Sequence, residues 1–187
     1  MCINIKQQLN IDRKLLILDL DETLIYGTET PLAREADFLV EPYYIYRRPH
    51  LKQFLNTCLD WFDVAVWTSS SNDYAVEIVA AIFENPDSLA FLWASERCTI
   101  AYDYELLIHY PRKTLKKLKR KGYSLESIIV LDDTPQKWKQ SYGNLIQVKP
   151  FEGDETDDEL LRLLGYLDKL RYEKNIRALE KRSWRYM

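Results

Sequence analysis

The 187-residue sequence predicts an α/β fold: a three-layer sandwich around a central parallel sheet of about five strands. Three features carry this expectation. Short apolar runs alternate with longer stretches of helical period. The short runs are continuously apolar, so they read as strands covered on both faces. Several of them end abruptly in Asp or Thr-Ser.

In chain order, "LLILDL" (15–20) reads as a buried strand. "PHLKQFLNTCLDW" (49–61) reads as a helix, with Leu51, Phe54, Leu55, Cys58 and Leu59 on one face. "FDVAVWT" (62–68) is a second strand, and "NDYAVEIVAAIFE" (72–84) a helix with Asn72 or Asp73 placed to cap it. "LAFLWA" (89–94) is a third strand. "PRKTLKKLKRKG" (111–122) reads as a helix, with Pro early and Gly just past its end. "SIIVLDD" (127–133) and "NLIQV" (144–148) complete the strands, and "DDELLRLLGYLDKL" (157–170) is a closing helix. Residues 24–47 have strand-like pieces and turn residues but no helical period, and read as a β-hairpin flap after the first strand. Residues 98–110 read as a smaller strand excursion, and no stretch is long enough for a large cap domain. The expectation is one domain over 1–187, with a core of about 12–171 and a basic, aromatic helical tail over 172–187.

Composition narrows the classes. Hydrophobic residues make up 47% and charged residues 29%, an ordinary globular balance. The net charge of −3 gives the whole molecule no pull toward nucleic acid or anionic membrane. Cys2, Cys58 and Cys98 are odd in number and widely spaced, against a disulfide framework or a structural zinc site. The N-terminus "MCINIKQQLNIDRK" has no apolar core of signal-peptide length, and no apolar run approaches a membrane span. These readings make a cytoplasmic location the expectation, with recruitment to a membrane by a partner as the alternative.

The chemistry gathers at strand ends. In an open parallel sheet, ligands bind beyond the carboxyl ends of the strands. Asp19 and Asp21 lie at one such end, Thr68 and Ser69 at another, Asp132 and Asp133 at a third. Carboxylates this close repel one another, and a divalent cation removes the problem. Magnesium takes hard oxygen ligands and pairs a few carboxylates with a substrate phosphate. Two residues apart on an extended chain, Asp19 and Asp21 point to one side. One can then attack phosphorus, forming an acyl phosphate, while the other reaches the leaving oxygen.

"LDLDETL" resembles the DxDxT signature of haloacid-dehalogenase-type phosphatases. With "ADFLV", "RRPHLKQFL", "FDVAVWTSS", "KTLKKL", "IIVLDDTPQKW" and "YGNLIQVKPF" in the same order, the chain from about 15 to 170 resembles one branch. That branch dephosphorylates the C-terminal domain of RNA polymerase II and is also called the NLI-interacting-factor type. The resemblance implies Asp19 as the phosphorylated nucleophile and Asp21 as the general acid/base. Thr23 would hold the loop and help orient Asp21. Thr68 would bond a phosphoryl oxygen, with Ser69 beside it. Asp133 would be a metal ligand, with Asp132 holding the metal shell or a lysine. The Asp19 carboxylate and the Asp21 backbone carbonyl would complete the protein ligands of Mg2+. "KTLKKL" places the family's lysine at Lys113, whereas ungapped alignment back from "LDD" would choose Lys116.

Other signals are weaker. His50, at a helix start, reads as a capping or surface residue, and His109 has no partner at zinc-ligand spacing. Lys116, Lys117, Lys119, Arg120 and Lys121 read as a solvated face. The first functional expectation is a magnesium-dependent phosphomonoesterase acting on phosphoserine or phosphothreonine in protein. The alternatives are a phosphoprotein-binding scaffold with little turnover, and a phosphatase of small phosphate esters or nucleic-acid ends.

Overall fold

The computed structural model describes residues 13–186, without the side chains of residues 119 and 120. The N-terminal segment with Cys2 lies outside the described residues. In chain order the elements are β1 (Leu15–Leu18), β2 (Ile25–Thr28), β3 (Phe38–Val40), β4 (Tyr43–Arg47), α1 (Leu51–Trp61), β5 (Asp63–Trp67), α2 (Asn72–Ile82), β6 (Leu92–Trp93), β7 (Thr99–Asp103), β8 (Ile108–Arg112), β9 (Ile128–Asp132), β10 (Leu145–Gln147) and α3 (Glu159–Leu170).

The central sheet has five parallel strands in the order β10-β9-β1-β5-β6. β1 is its middle strand, with Leu15 beside both Asp63 and Ile128. All four β1 residues are buried, as the unbroken apolar run requires. Their alternation divides the core. Leu16 and Leu18 join Phe54, Ile78, Leu163 and Leu167, so α1, α2 and α3 all cover one face. Leu15 and Ile17 face the other way, toward Trp67, Trp93, Leu115, Leu118 and Trp138.

That second face lacks the helix expected over 111–122. β7 and β8 form an antiparallel hairpin in which Pro111 pairs with Ile100 and Arg112 with Thr99. The Lys113 amide then donates to the Lys137 carbonyl at 2.9 Å. Helical turns start only at Leu115–Lys121, as 3-10 structure. The buried pair Leu115 and Leu118, three residues apart, suits its three-residue period. The early Pro, read as a helix-start signal, is a strand residue.

The flap is larger than a hairpin. β2 and β3 both pair with β4, giving a three-stranded antiparallel sheet. It is tied to α3 through Arg48, whose guanidinium grips Asp157 through Nε and Nη2, both at 2.8 Å. A third bond runs to the Thr23 carbonyl at 3.0 Å. His50 is exposed at the start of α1, with φ 65° and no side-chain capping bond.

The tail docks on the body as short 3-10 turns rather than as one helix. Ile176 and Trp184 are buried in the main core. Trp184 stacks on Tyr166 and donates its indole N–H to the Gln147 carbonyl at 3.0 Å. Arg185 pairs with Glu159 at the start of α3.

The Arg48–Asp157 pair generates a stability prediction. Asp157→Ala leaves a buried guanidinium without its counter-charge and should cost roughly 3 kcal/mol in urea unfolding. Burial opposes ionisation of Asp157, but the Arg48 bonds outweigh it and hold the carboxyl below its usual range. Its contribution is therefore complete above the unfolded carboxylate pKa and is lost as pH falls through the lower folded value. The stability difference between wild type and Asp157→Ala should shrink over that acid limb.

Candidate active site

Three parallel strands deliver the polar groups to one edge of the sheet. Asp19 follows β1, Thr68 follows β5, and Asp132 and Asp133 close β9. All four are at least nine-tenths buried. The Asp19 amide donates to the Leu131 carbonyl at 3.0 Å, so the pairing of β1 with β9 continues one residue past the strand and sets Asp19 beside Asp132.

Two lysines meet these two acids. The Lys113 ammonium lies 3.0 Å from Asp19 Oδ1 and 2.7 Å from Asp132 Oδ2. The Lys137 ammonium lies 2.9 Å from Asp19 Oδ2 and 3.6 Å from Asp132 Oδ1. Carboxylates and ammonium groups thus alternate around a closed ring. Lys113 is fully buried there, whereas Lys116 lines a separate cleft with Trp93 and Arg97.

The ring sets the acidities. Burial opposes ionisation of Asp19, but Lys113 and Lys137 more than offset it and hold the carboxyl well below its usual range. Asp132 is pushed up to about 6 by burial and the Asp19 charge, against the pull of both lysines. Asp132 also accepts from the Trp138 indole at 2.7 Å and from the Thr134 amide at 2.9 Å.

Asp21 is held apart from this ring. Its carboxylate accepts from the Ser70 hydroxyl and the Tyr74 phenol, both at 2.7 Å. Burial raises its pKa, and the two hydrogen bonds oppose that only in part. Gly27 on the flap lies so close that an added Cβ would meet Tyr74 Oη at 2.7 Å. A cleft of about 530 Å3, lined by Asp21, Gly27, Tyr43, Ser70 and Tyr74, opens from here between flap and α2.

The remaining sequence-derived residues fall as follows. Thr68 accepts the Ser70 amide at 3.0 Å. Ser69 is half-buried beside it, and Ser70, not Ser69, reaches Asp21. Thr23 is fully buried, but its hydroxyl has no hydrogen-bond partner among the described residues. The expected help from Thr23 in orienting Asp21 is therefore replaced by Ser70 and Tyr74. Lys137, Ser70, Tyr74 and Trp138 were not singled out in the sequence. The signals were there, a Lys and a Trp in "DDTPQKW" and a Ser and a Tyr around the α2 cap, but nothing in their spacing sets them apart from surface residues.

The donor set fits a hard divalent cation. One carboxylate oxygen from each of Asp19, Asp132 and Asp133 lies within 4.8 Å of the others. Asp133 Oδ1 is buried with no hydrogen-bond partner among the described residues, while Oδ2 accepts from Thr134 at 2.8 Å. The Asp21 carboxylate stands outside this group, so any part of Asp21 in the metal shell falls to its backbone carbonyl.

Known proteins resemble this chain in sequence and in fold. The CTD nuclear envelope phosphatase 1B of Danio rerio is 28% identical over 189 residues, covering 93% of this chain and 74% of the relative. The nuclear envelope morphology protein 1 of Saccharomyces cerevisiae is 29% identical over 185 residues, covering 89% of this chain and 41% of that protein. Among solved structures, the fission yeast RNA polymerase II CTD phosphatase Fcp1 bound to beryllium fluoride superposes with a TM-score of 0.58 at 22% identity. That match covers 90% of this chain and 55% of the Fcp1 chain, so this chain spans about half of that structure, and the likeness shows the shared fold. The relatives' names correct the expectation of a plain cytoplasmic protein, since they belong to the nuclear envelope. No helix among the described residues is long and apolar enough to cross a membrane. The model of NLI interacting factor-like phosphatases matches residues 14–177, most of the chain. The protein therefore belongs to the NLI interacting factor-like phosphatase family and is a phosphoric monoester hydrolase.

Proposed function

We propose that the protein is a magnesium-dependent phosphatase of phosphoserine or phosphothreonine in protein, working through a phosphorylated Asp19. The observation that carries this reading is the ring that keeps Asp19 ionised between two ammonium groups. A strongly ionised carboxylate is a ready nucleophile, and lysines already in place stabilise phosphoryl charge without reorganisation.

In the first half-reaction an Asp19 oxygen forms a bond to phosphorus, and the ester P–O bond breaks. The departing serine or threonine alkoxide takes the proton of Asp21, whose raised pKa favours the protonated acid. In the second, Asp21 as carboxylate takes a proton from water. The resulting oxygen attacks phosphorus, freeing inorganic phosphate and Asp19. Ser70 and Tyr74 hold the Asp21 carboxyl in place through both steps. Burial and the Asp21 charge push the Tyr74 phenol up, so it remains a donor. Thr68 and Lys113 face the phosphoryl oxygens, with Ser69 at the rim. Asp132 holds Lys113. Asp19, Asp133 and the Asp21 carbonyl would hold the metal, which would supply positive charge to the phosphoryl oxygens. Three carboxylates against two ammonium groups leave the site one charge negative, and a phosphate dianion would make it three, of which a divalent cation would offset two.

A protein substrate is favoured by the cleft beside Asp21, which opens to solvent between flap and α2. The names of the CTD phosphatase relatives point to the same substrate class.

Magnesium should raise the melting temperature, and a chelator should abolish turnover. Full activity in excess chelator would remove the metal from the scheme. Lys113→Ala should lower turnover by roughly 10²–10³-fold, the scale for one preorganised charge-stabilising donor, while Lys116→Ala stays near wild type. The reverse order would reassign the lysine.

The two acids are separated by leaving group. Asp19→Asn should form no phosphoenzyme with any substrate. Asp21→Asn should release one burst of nitrophenol from an aryl phosphate and then stall, because nitrophenolate leaves without a proton. On a phosphoserine peptide it should lose roughly 10²–10⁴-fold with no burst. A phosphate found on Asp21 by mass spectrometry, or equal loss for both leaving groups in the first step, would exchange the roles.

A further inference from the structure

The basic run after Lys113 reads in sequence as a solvated face. The fold instead brings three of its lysines together with an arginine around a cleft of about 650 Å3 on the tryptophan-lined face of the sheet. Lys116, Lys117 and Lys121 come from the 3-10 turns of Leu115–Lys121, and Arg97 from the turn after β6. Aromatic rings hold two of the heads. The Arg97 guanidinium lies 5.5 Å from the centre of the Trp93 ring, and the Lys121 ammonium 5.1 Å from that of Phe91.

The four cations have no counter-charge. Among the described residues no carboxylate forms an ion pair with any of them. Lys117 donates to the Arg97 carbonyl at 2.5 Å, which leaves its charge unneutralised. A ring face attracts a cation but does not neutralise it. Four positive groups around one cleft repel one another, in a chain whose net charge is −3. An anionic ligand would offset that repulsion.

The cleft begins at the rim of the active site. The Ser95 amide donates to the Ser70 carbonyl at 2.9 Å, and the Cys98 thiol to the Thr68 carbonyl at 3.7 Å. These two bonds seat Arg97 beside the carboxyl end of β5. Lys117 reaches the same segment, and Lys116 and Lys117 follow Lys113 of the ring within four residues. From there the cleft runs to Lys121 and Phe91, just before β6.

Its chemistry narrows the ligand. Trp93 is 8% exposed and Phe91 9%, so neither ring is open to stack a nucleobase. The heads surround a concavity, which suits a narrow acidic chain better than a flat membrane.

We propose that this cleft binds a segment rich in Asp and Glu on the protein substrate, beside the phosphorylated residue. The proposal rests on the phosphoprotein reading above and adds that substrates are selected by negative charge outside the reacting group.

The test compares phosphoserine peptides of one length whose flanks on both sides are Asp and Glu, Asn and Gln, or Lys. The acidic peptide should exceed the amide peptide in kcat/KM by about tenfold, through KM, the scale of two or three exposed ion pairs. The gain should fade as salt is raised. Lys116→Gln with Lys121→Gln should bring it to within about twofold, and Lys116→Glu with Lys121→Glu should make the Lys-flanked peptide the better substrate. Both double variants should hydrolyse an aryl phosphate as wild type does, which reports that the fold and the site are intact. Lys169→Glu with Lys174→Glu makes the same change in net charge at the end of α3 and should keep the wild-type preference. Equal kcat/KM for acidic and amide peptides, a preference that survives Lys116→Gln with Lys121→Gln, or an equal loss in the Lys169 and Lys174 control would overturn the cleft. Binding is read separately on the full chain carrying Asp19→Asn, by fluorescence anisotropy of an acidic peptide without phosphoserine. That peptide should bind, and adding Lys116→Glu with Lys121→Glu should abolish it. Tighter binding of single-stranded DNA of equal charge, or of phosphatidylserine vesicles, through the same lysines would reassign the cleft and overturn the proposal. No turnover of any phosphopeptide would count against the phosphoprotein reading, while the anisotropy result would still judge the cleft.

Discussion

The ring formed by Asp19, Asp132, Lys113 and Lys137 is the constraint around which the rest of the molecule is arranged. Each ammonium touches both carboxylates, so none of the four charges is buried alone. A buried ion pair is tolerated only when its geometry is good and its remaining hydrogen bonds are met. Trp138 and the Thr134 amide complete Asp132, and the Leu20 amide completes Asp19. The ring needs Lys113 at the end of an extended segment and Lys137 in the turn after β9. That requirement keeps residues 108–113 from joining a helix.

The two faces of the sheet are accordingly built by different means. One is covered by three amphipathic helices with aliphatic stripes. The other is covered by short 3-10 turns and a group of tryptophans, Trp67 packing edge-on against Trp93 at 4.9 Å and against Trp138 at 5.5 Å. Large rings fill space that single-turn segments leave open. They also form a rigid floor under Asp132, one ring donating to it directly. Three of the five tryptophans are thus gathered where the buried charges need support.

The flap and the tail act at different ends of the sheet. The flap brings Gly27 against Tyr74 and so closes around the donors of Asp21. The tail seats Arg177 on Asn144, whose side-chain amide donates to the Leu125 and Ile128 carbonyls where β9 begins.

The sheet was legible in the residues, because an unbroken run such as "LLIL" can be satisfied only by burial on both faces. So was the gathering of Asp19, Thr68, Asp132 and Asp133 at one edge, because parallel strands end on the same side. The motif order favoured Lys113 and left Lys116 as the alternative; of the two, Lys113 stands beside Asp19 and Asp132. What neutralises Asp19 emerged only from the folded chain. Lys137 is 118 positions away from it, and no local pattern encodes a pairing made by strand register and a turn. The same holds for Ser70 and Tyr74 on Asp21, whose contacts depend on how α2 packs under the flap. Pro111 was misread because its local preference for a helix start is weaker than the pull of the β7–β8 pairing and of the ring on Lys113. The tail, a mixture of charge and aromatics to the eye, gained its meaning from Trp184, whose burial fixes where the neighbouring cations must stand.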